Sequence, residues 1–146
     1  MTLLCPQWFS IVSGGFGIVP AYNWMKSIPI IGLVTYSSTF FTIIQHVTER
    51  LPGYKPLVNI GRFYRYFLWF DRLSAVLLGC MLIYYLQEKT IRPKIILFSG
   101  LALIIVCDSG IIEDSLLYSV VHSAWHILVW TYLSMMYELY MEVDLT

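Results

Sequence analysis

Charge is what this sequence has least of. Asp, Glu, Lys and Arg make up 12% of its 146 residues, while 58% are apolar. Soluble domains carry about 25% charged residues. A short chain, with its high ratio of surface to volume, needs more than that average. The shortage excludes an ordinary soluble domain and points to lipid as the solvent. Nine cations balance nine anions, so no basic field is present to steer nucleic acid, which is excluded as a partner. Cysteine is scarce too. Cys5, Cys80 and Cys107 are odd in number and widely spaced, which gives no disulfide framework; Cys80 and Cys107 read as small apolar packing residues. The first 25 residues carry no charge, and Lys26 is the first cation. A signal peptide places its basic residues ahead of its apolar stretch, so the expectation is a retained first membrane segment.

What is present is a series of five apolar runs. The first, Trp8 to Met25, contains Gly14, Gly15, Gly17 and Pro20. Its small residues let another helix approach closely, and Pro20 is expected to kink its end. The second runs from Ser27 to Gln45, ends at His46 and is closed by Glu49 and Arg50. The third, about Phe63 to Gln87, carries Arg65, Asp71 and Arg72 in its first half. The fourth, Lys94 to about Ser109, is short. The fifth, Ser115 to Tyr137, is broken only by two histidines. A span needs about 20 residues, with a range of roughly 17–25. The expectation is an all-α, multi-pass transmembrane bundle of about five spans, with four as the fallback and residues 1–146 forming a single domain. Pro52, Gly53 and Pro56 prevent a continuous helix in the longest connection. Basic residues divide evenly between the two sides, so orientation is not set.

Ionisable groups inside a span are costly and call for a reason. The chain has three histidines, and all lie in apolar runs. His122 and His126 are spaced i, i+4 and share a helix face, a spacing that lets two imidazoles bind one metal. His46 ends the second run and Asp71 lies in the third. With five alternating spans, all four fall toward one side. At 1.5 Å per residue, His46 lies about 5 Å from that side and Asp71 about 12 Å. His122 and His126 lie about 13 and 20 Å in. Losing the first span keeps this convergence; losing the fourth destroys it. Three histidines with an open position form a catalytic zinc arrangement, with ligating nitrogens roughly 3–4 Å apart. Zinc lowers the pKa of a coordinated water to about 7 and polarises a carbonyl. Asp71 could hold or deprotonate that water. Thr42, one turn before His46, could steady an oxyanion or orient the histidine. Blander readings stand beside these. The histidines could bond across helices, and Asp71 could pair with Arg65 or Arg72. Thr42 could bond its own backbone. Trp125, Trp130, Tyr132 and Tyr137 read as packing and interface anchors.

These residues carry a family resemblance. The stretch from Glu113 and Asp114 through Tyr118 to His122, Ser123 and His126 is similar to an acidic, Tyr, then His-Ser-x-x-His segment. That segment belongs to the CREST superfamily of membrane proteins, in the branch of myomaker and the transmembrane-protein-8 proteins. Thr39 to His46 resembles the family's second-span histidine segment, and Phe70 to Ser74 its third-span Asp motif. The region of Pro20 fits the first span more loosely. The superfamily includes alkaline ceramidases, progestin and adiponectin-type receptors and GPI-remodelling lipid hydrolases. The resemblance implies zinc on His46, His122 and His126, with Asp71 as the site carboxylate. Thr42 would stand where the superfamily has serine. The family has seven spans and this chain has room for about five. The shortage lies between Asp71 and His122, and removing two spans preserves the parity that assembles the site.

The expected function is a zinc-dependent hydrolase of a membrane-lipid acyl or amide bond. The alternative is a non-enzymatic protein of fusion, adhesion or signalling with structural zinc. A channel or transporter subunit is disfavoured, because the polar residues cluster on one side. Expected partners are membrane lipid and, as an open option, further copies of the chain. The expected location is an integral membrane one, with plasma membrane and endomembrane not distinguished.

Overall fold

The computed structural model describes residues 7–49, 51, 55–85, 99, 102–103, 105–106 and 112–144. The fourth apolar run lies almost wholly outside the described residues, as do Cys5, Cys107, Arg50, Pro52, Gly53 and the basic residues at 89, 92 and 94; of that run, residues 99, 102, 103, 105 and 106 are helical. The described elements are all helical, with no strand among them. They are α1 (Gln7–Gly15), α2 (Ile18–Ser27), α3 (Pro29–Thr48), a short 3-10 turn (Gly61–Phe63), α4 (Tyr64–Tyr85) and α5 (Ser115–Asp144). Among the described residues, α3 is the one helix long and apolar enough to cross a membrane by length and composition. α4 and α5 have the length. Arg65, Asp71 and Arg72 in α4, and two histidines among the Trp and Tyr residues of α5, lower their apolarity.

The first apolar run is two helices rather than one. The break falls at Phe16 and Gly17, one turn before Pro20. A proline removes the bond to the carbonyl four residues back and its ring crowds that carbonyl, which here belongs to Phe16. That carbonyl accepts from Val19 N at 3.3 Å instead, and Gly17 N donates to Gly14 O at 3.1 Å. The break also needs its glycines. A Cβ on Gly14 would lie 2.9 Å from Thr42 Cγ2, and one on Gly17 would collide with Thr39 Oγ1 and the Trp130 ring.

α2 and α3 are joined through the single residue Ile28, with Pro29 at the first turn of α3. A proline there gives up only an N–H that would have had no helical partner. The backbones approach so closely that a Cβ on Gly32 would overlap the Met25 main chain. α3 leaves helical geometry at Glu49 (φ −66°, ψ 138°). The connection folds back, Val58 N donating to Val47 O at 3.0 Å. It enters α4 through Gly61, whose φ of 59° suits a residue without Cβ. Asp114 caps α5, its Oδ1 accepting from Leu117 N at 2.7 Å. α5 continues to Asp144, two turns beyond the Tyr137 at which the apolar run stops.

Apolar and polar side chains are distributed unusually. The apolar core is Trp24, Ile31, Val34, Leu78, Trp130, Tyr132, Leu133 and Met136. Trp24 Nε1 donates to Leu133 O at 3.1 Å, fixing α2 on α5. Next to it the interior is polar: Thr35, Ser38, Thr39, Thr42, Gln45 and His46 of α3 are buried, with Ser119, His122, Ser123 and His126 of α5. Many of these hydroxyls donate to their own helix. Thr35 reaches Ile31 O at 2.8 Å, Thr39 reaches Thr35 O at 2.9 Å and Ser123 reaches Ser119 O at 2.6 Å. The outer faces are apolar, with Val12, Phe16, Phe40, Trp69, Leu73, Val76 and Val120 all exposed.

Candidate metal centre

α3 and α5 deliver the three histidines to one place. His46, His122 and His126 are each buried, at 0%, 6% and 4% exposure. Their rings meet edge to face. Centroids of His46 and His122 are 4.8 Å apart at 77°, His46 and His126 5.1 Å at 63°, and His122 and His126 4.8 Å at 90°. One nitrogen from each ring can be chosen so that all three lie within 4.8 Å of one another.

The residues fit a metal ion by two observations. First, His46 Nε2 and His122 Nδ1 are buried with no hydrogen-bond partner. Buried polar atoms are normally satisfied, and a cation among them would satisfy both. Second, the spacing is near that of ligands. Tetrahedral ligands about 2.1 Å from zinc stand roughly 3.4 Å apart, so the nitrogens need to close inward by less than about 1 Å, which small side-chain torsions supply.

The remaining ring nitrogens are held from behind. His46 Nδ1 lies 2.8 Å from Glu49 Oε2. Glu49 is itself pinned: Tyr118 OH donates to its Oε1 at 3.1 Å, and Gln7 Nε2 donates to its carbonyl at 3.4 Å. His126 Nδ1 lies 3.0 Å from Ser13 Oγ. Tyr118, one turn before His122, also faces that ring at 5.4 Å. Sequence reasoning missed Glu49 and Ser13. Glu49 was legible only as the charge that closes the second run, although i, i+3 from His46 puts it within reach. Ser13 gave no signal beyond a small residue beside Gly14.

Asp71 and Thr42 are brought to the same place. The Thr42 hydroxyl donates to Asp71 Oδ1, joining α3 to α4. This differs from the expected roles of Thr42, which were to orient the histidine, steady an oxyanion or bond its own backbone. A cleft of about 220 Å³ opens beside the histidines, lined by Glu49, Asp71, Arg72, Tyr118, His122 and Trp125 among others. Of the three histidines, His122 is the one in this lining. Trp130 and Tyr132, expected as packing and interface anchors, pack in the apolar core. Trp125 is a wall of the cleft, and Tyr137 packs on Trp24 with ring centroids 5.4 Å apart.

The three imidazoles, beside an adjoining cleft, lie close enough together to bind a metal ion. The chain matches no family model, no curated protein and no solved structure.

Proposed function

We propose that this chain is a multi-pass integral membrane protein with a zinc centre inside the bilayer, and that it hydrolyses an acyl or amide bond of a membrane lipid. The observation that carries the reading is the cluster of three buried histidines, one nitrogen of each within 4.8 Å of the others, with His46 Nε2 and His122 Nδ1 unsatisfied. The membrane setting is supported by apolar outer faces around a polar interior, the reverse of a water-soluble bundle. Zinc is favoured over hard cations because three imidazoles form the ligand set. The reaction class follows from the resemblance to the CREST superfamily, in which Thr42, His46, Asp71, His122 and His126 match the motif positions.

Zinc held there supplies Lewis acidity, activating water and polarising the scissile carbonyl. The protein's own groups do the rest. Thr42 fixes the Asp71 carboxylate through one oxygen, leaving the other as the group that takes a proton from water and returns it to the leaving group. Glu49 holds His46 in place. Arg72 and Tyr118 line the cleft and on this reading would face a lipid headgroup.

One observation favours a second reading. The cleft, at about 220 Å³, is smaller than the roughly 300–1,000 Å³ of ordinary ligand pockets. A non-enzymatic membrane protein of fusion, adhesion or signalling, with zinc as a structural tie, fits that size.

Metal analysis of the chain purified in detergent tests both. The expected result is one zinc per chain, lost on His46→Ala, His122→Ala or His126→Ala. Hydrolysis of ceramides or phospholipids by the zinc-loaded protein supports the first reading. Zinc without hydrolysis supports the second. A metal-free chain whose histidine variants melt like wild type overturns the zinc centre.

A further inference from the structure

We infer that Glu49 and Ser13 are positioning residues that set the tautomers of His46 and His126, presenting both Nε2 lone pairs to the shared centre before any metal arrives. The inference rests on the histidine triad being a ligand set, but it concerns the protons of the metal-free protein.

A neutral imidazole carries its proton on one nitrogen and a lone pair on the other. What faces each nitrogen decides which is which. His46 Nδ1 faces a carboxylate oxygen of Glu49 at 2.8 Å. An ionised carboxylate only accepts, so the proton belongs on Nδ1 and the lone pair on Nε2. That Nε2 is the buried atom with no partner.

The argument for His126 runs through a hydroxyl. Ser13 Oγ donates its single proton to Ser10 O at 3.1 Å. Toward His126 Nδ1, 3.0 Å away, it therefore has only lone pairs to offer. That neighbour calls for an N–H at Nδ1, so Nε2 again keeps the lone pair. The two devices come from different elements: Glu49 from the end of α3, Ser13 from α1. His122 has no such partner at Nδ1, which is buried and unsatisfied. It is left as the ring whose proton placement is open.

Glu49 does more than accept. Tyr118 OH and Gln7 hold it at its other carboxylate oxygen and its carbonyl, and the chain leaves the helix at this residue. That geometry turns the carboxylate back onto the ring three residues earlier. Fixing ligand tautomers from behind in this way typically changes metal affinity by about 10–100-fold.

Nitrogen NMR of the metal-free protein, labelled on its histidines, tests the inference. The sequence holds three histidines, so three ring systems appear, each assigned by its own substitution. The expected wild-type result is protonated Nδ1 and bare Nε2 on His46 and His126. Glu49→Ala should move only His46 toward the other tautomer, and Ser13→Ala only His126. Each should weaken zinc binding by about 10–100-fold. A wild type with Nε2 protonated on either ring overturns the inference, and this holds even if a variant does not fold. Unchanged tautomers in both folded variants overturn it as well. Wild-type tautomers as expected, in a protein that takes up no zinc, would support the positioning roles while refuting the zinc reading, so the two fail separately.

Discussion

Thr42 and Asp71 are joined by a hydrogen bond that links α3 to α4, placing a carboxylate beside the histidine centre. Asp71→Asn keeps the shape and an acceptor for Thr42 but removes the carboxylate that the proposed hydrolysis uses as its base. The expected outcome is full zinc content with turnover reduced by about 10²–10⁴-fold, the range for general acid–base groups. Thr42→Val removes the donor and leaves a partly buried acceptor, costing about 1 kcal/mol of stability, with a smaller loss of turnover. Zinc content and lipid hydrolysis of both variants, compared side by side, check this. Loss of zinc in Asp71→Asn would instead make Asp71 part of the metal's support.

The three glycines of the first run have unequal tasks. Gly17→Ala should be the most damaging, because its Cβ would meet Thr39 and the Trp130 ring. Gly14→Ala should cost less, since only Thr42 Cγ2 is close, at 2.9 Å. Overpacking of this kind costs about 1–3 kcal/mol. Gly15→Ala is the control, with nothing within 4 Å of its Cβ, and should be neutral or slightly stabilising. Thermal melts in one detergent rank the three. Equal melting of Gly15→Ala and Gly17→Ala would refute the packing.

Leu73 is 64% exposed on α4. If lipid covers that face, Leu73→Lys should cost about 2.5–3.5 kcal/mol of insertion, as for a cation at the centre of a span. The fraction of α4 inserted into microsomes, scored by a flanking glycosylation site, reads this out. Unchanged insertion would place Leu73 in water or at the interface and argue against a span there.

The histidine constellation was legible in part from one ordinary regularity, the i, i+4 spacing that fixes the face of His122 and His126. His46 was joined to them by an expected alternation of five spans, the fourth of which lies almost wholly outside the described residues. Glu49 was not legible, because a charge at the end of an apolar run reads as a boundary whatever else it does. Its role depends on the chain leaving α3 there and turning the side chain back. The position of the break before Pro20 was misread for a different reason: a proline acts on the carbonyl one turn upstream. Apolar runs also misplace helix ends. α5 continues through Glu138 and Glu142, since good helix formers extend a helix well past the apolar stretch.

The interior hydroxyls have a consequence for how such a chain is assembled. Thr35, Thr39 and Ser123 are each already bonded within their own helix. On the proposed membrane reading, α3 and α5 can each enter a bilayer with these hydroxyls already partnered, whereas the Thr42 hydroxyl waits for Asp71 of α4. The histidines lack that self-sufficiency: His46 Nε2 and His122 Nδ1 have no bond to take along. On that reading assembly separates into an early stage, in which these hydroxyls bond within α3 and α5, and a late one that brings together the three rings and the Thr42–Asp71 pair.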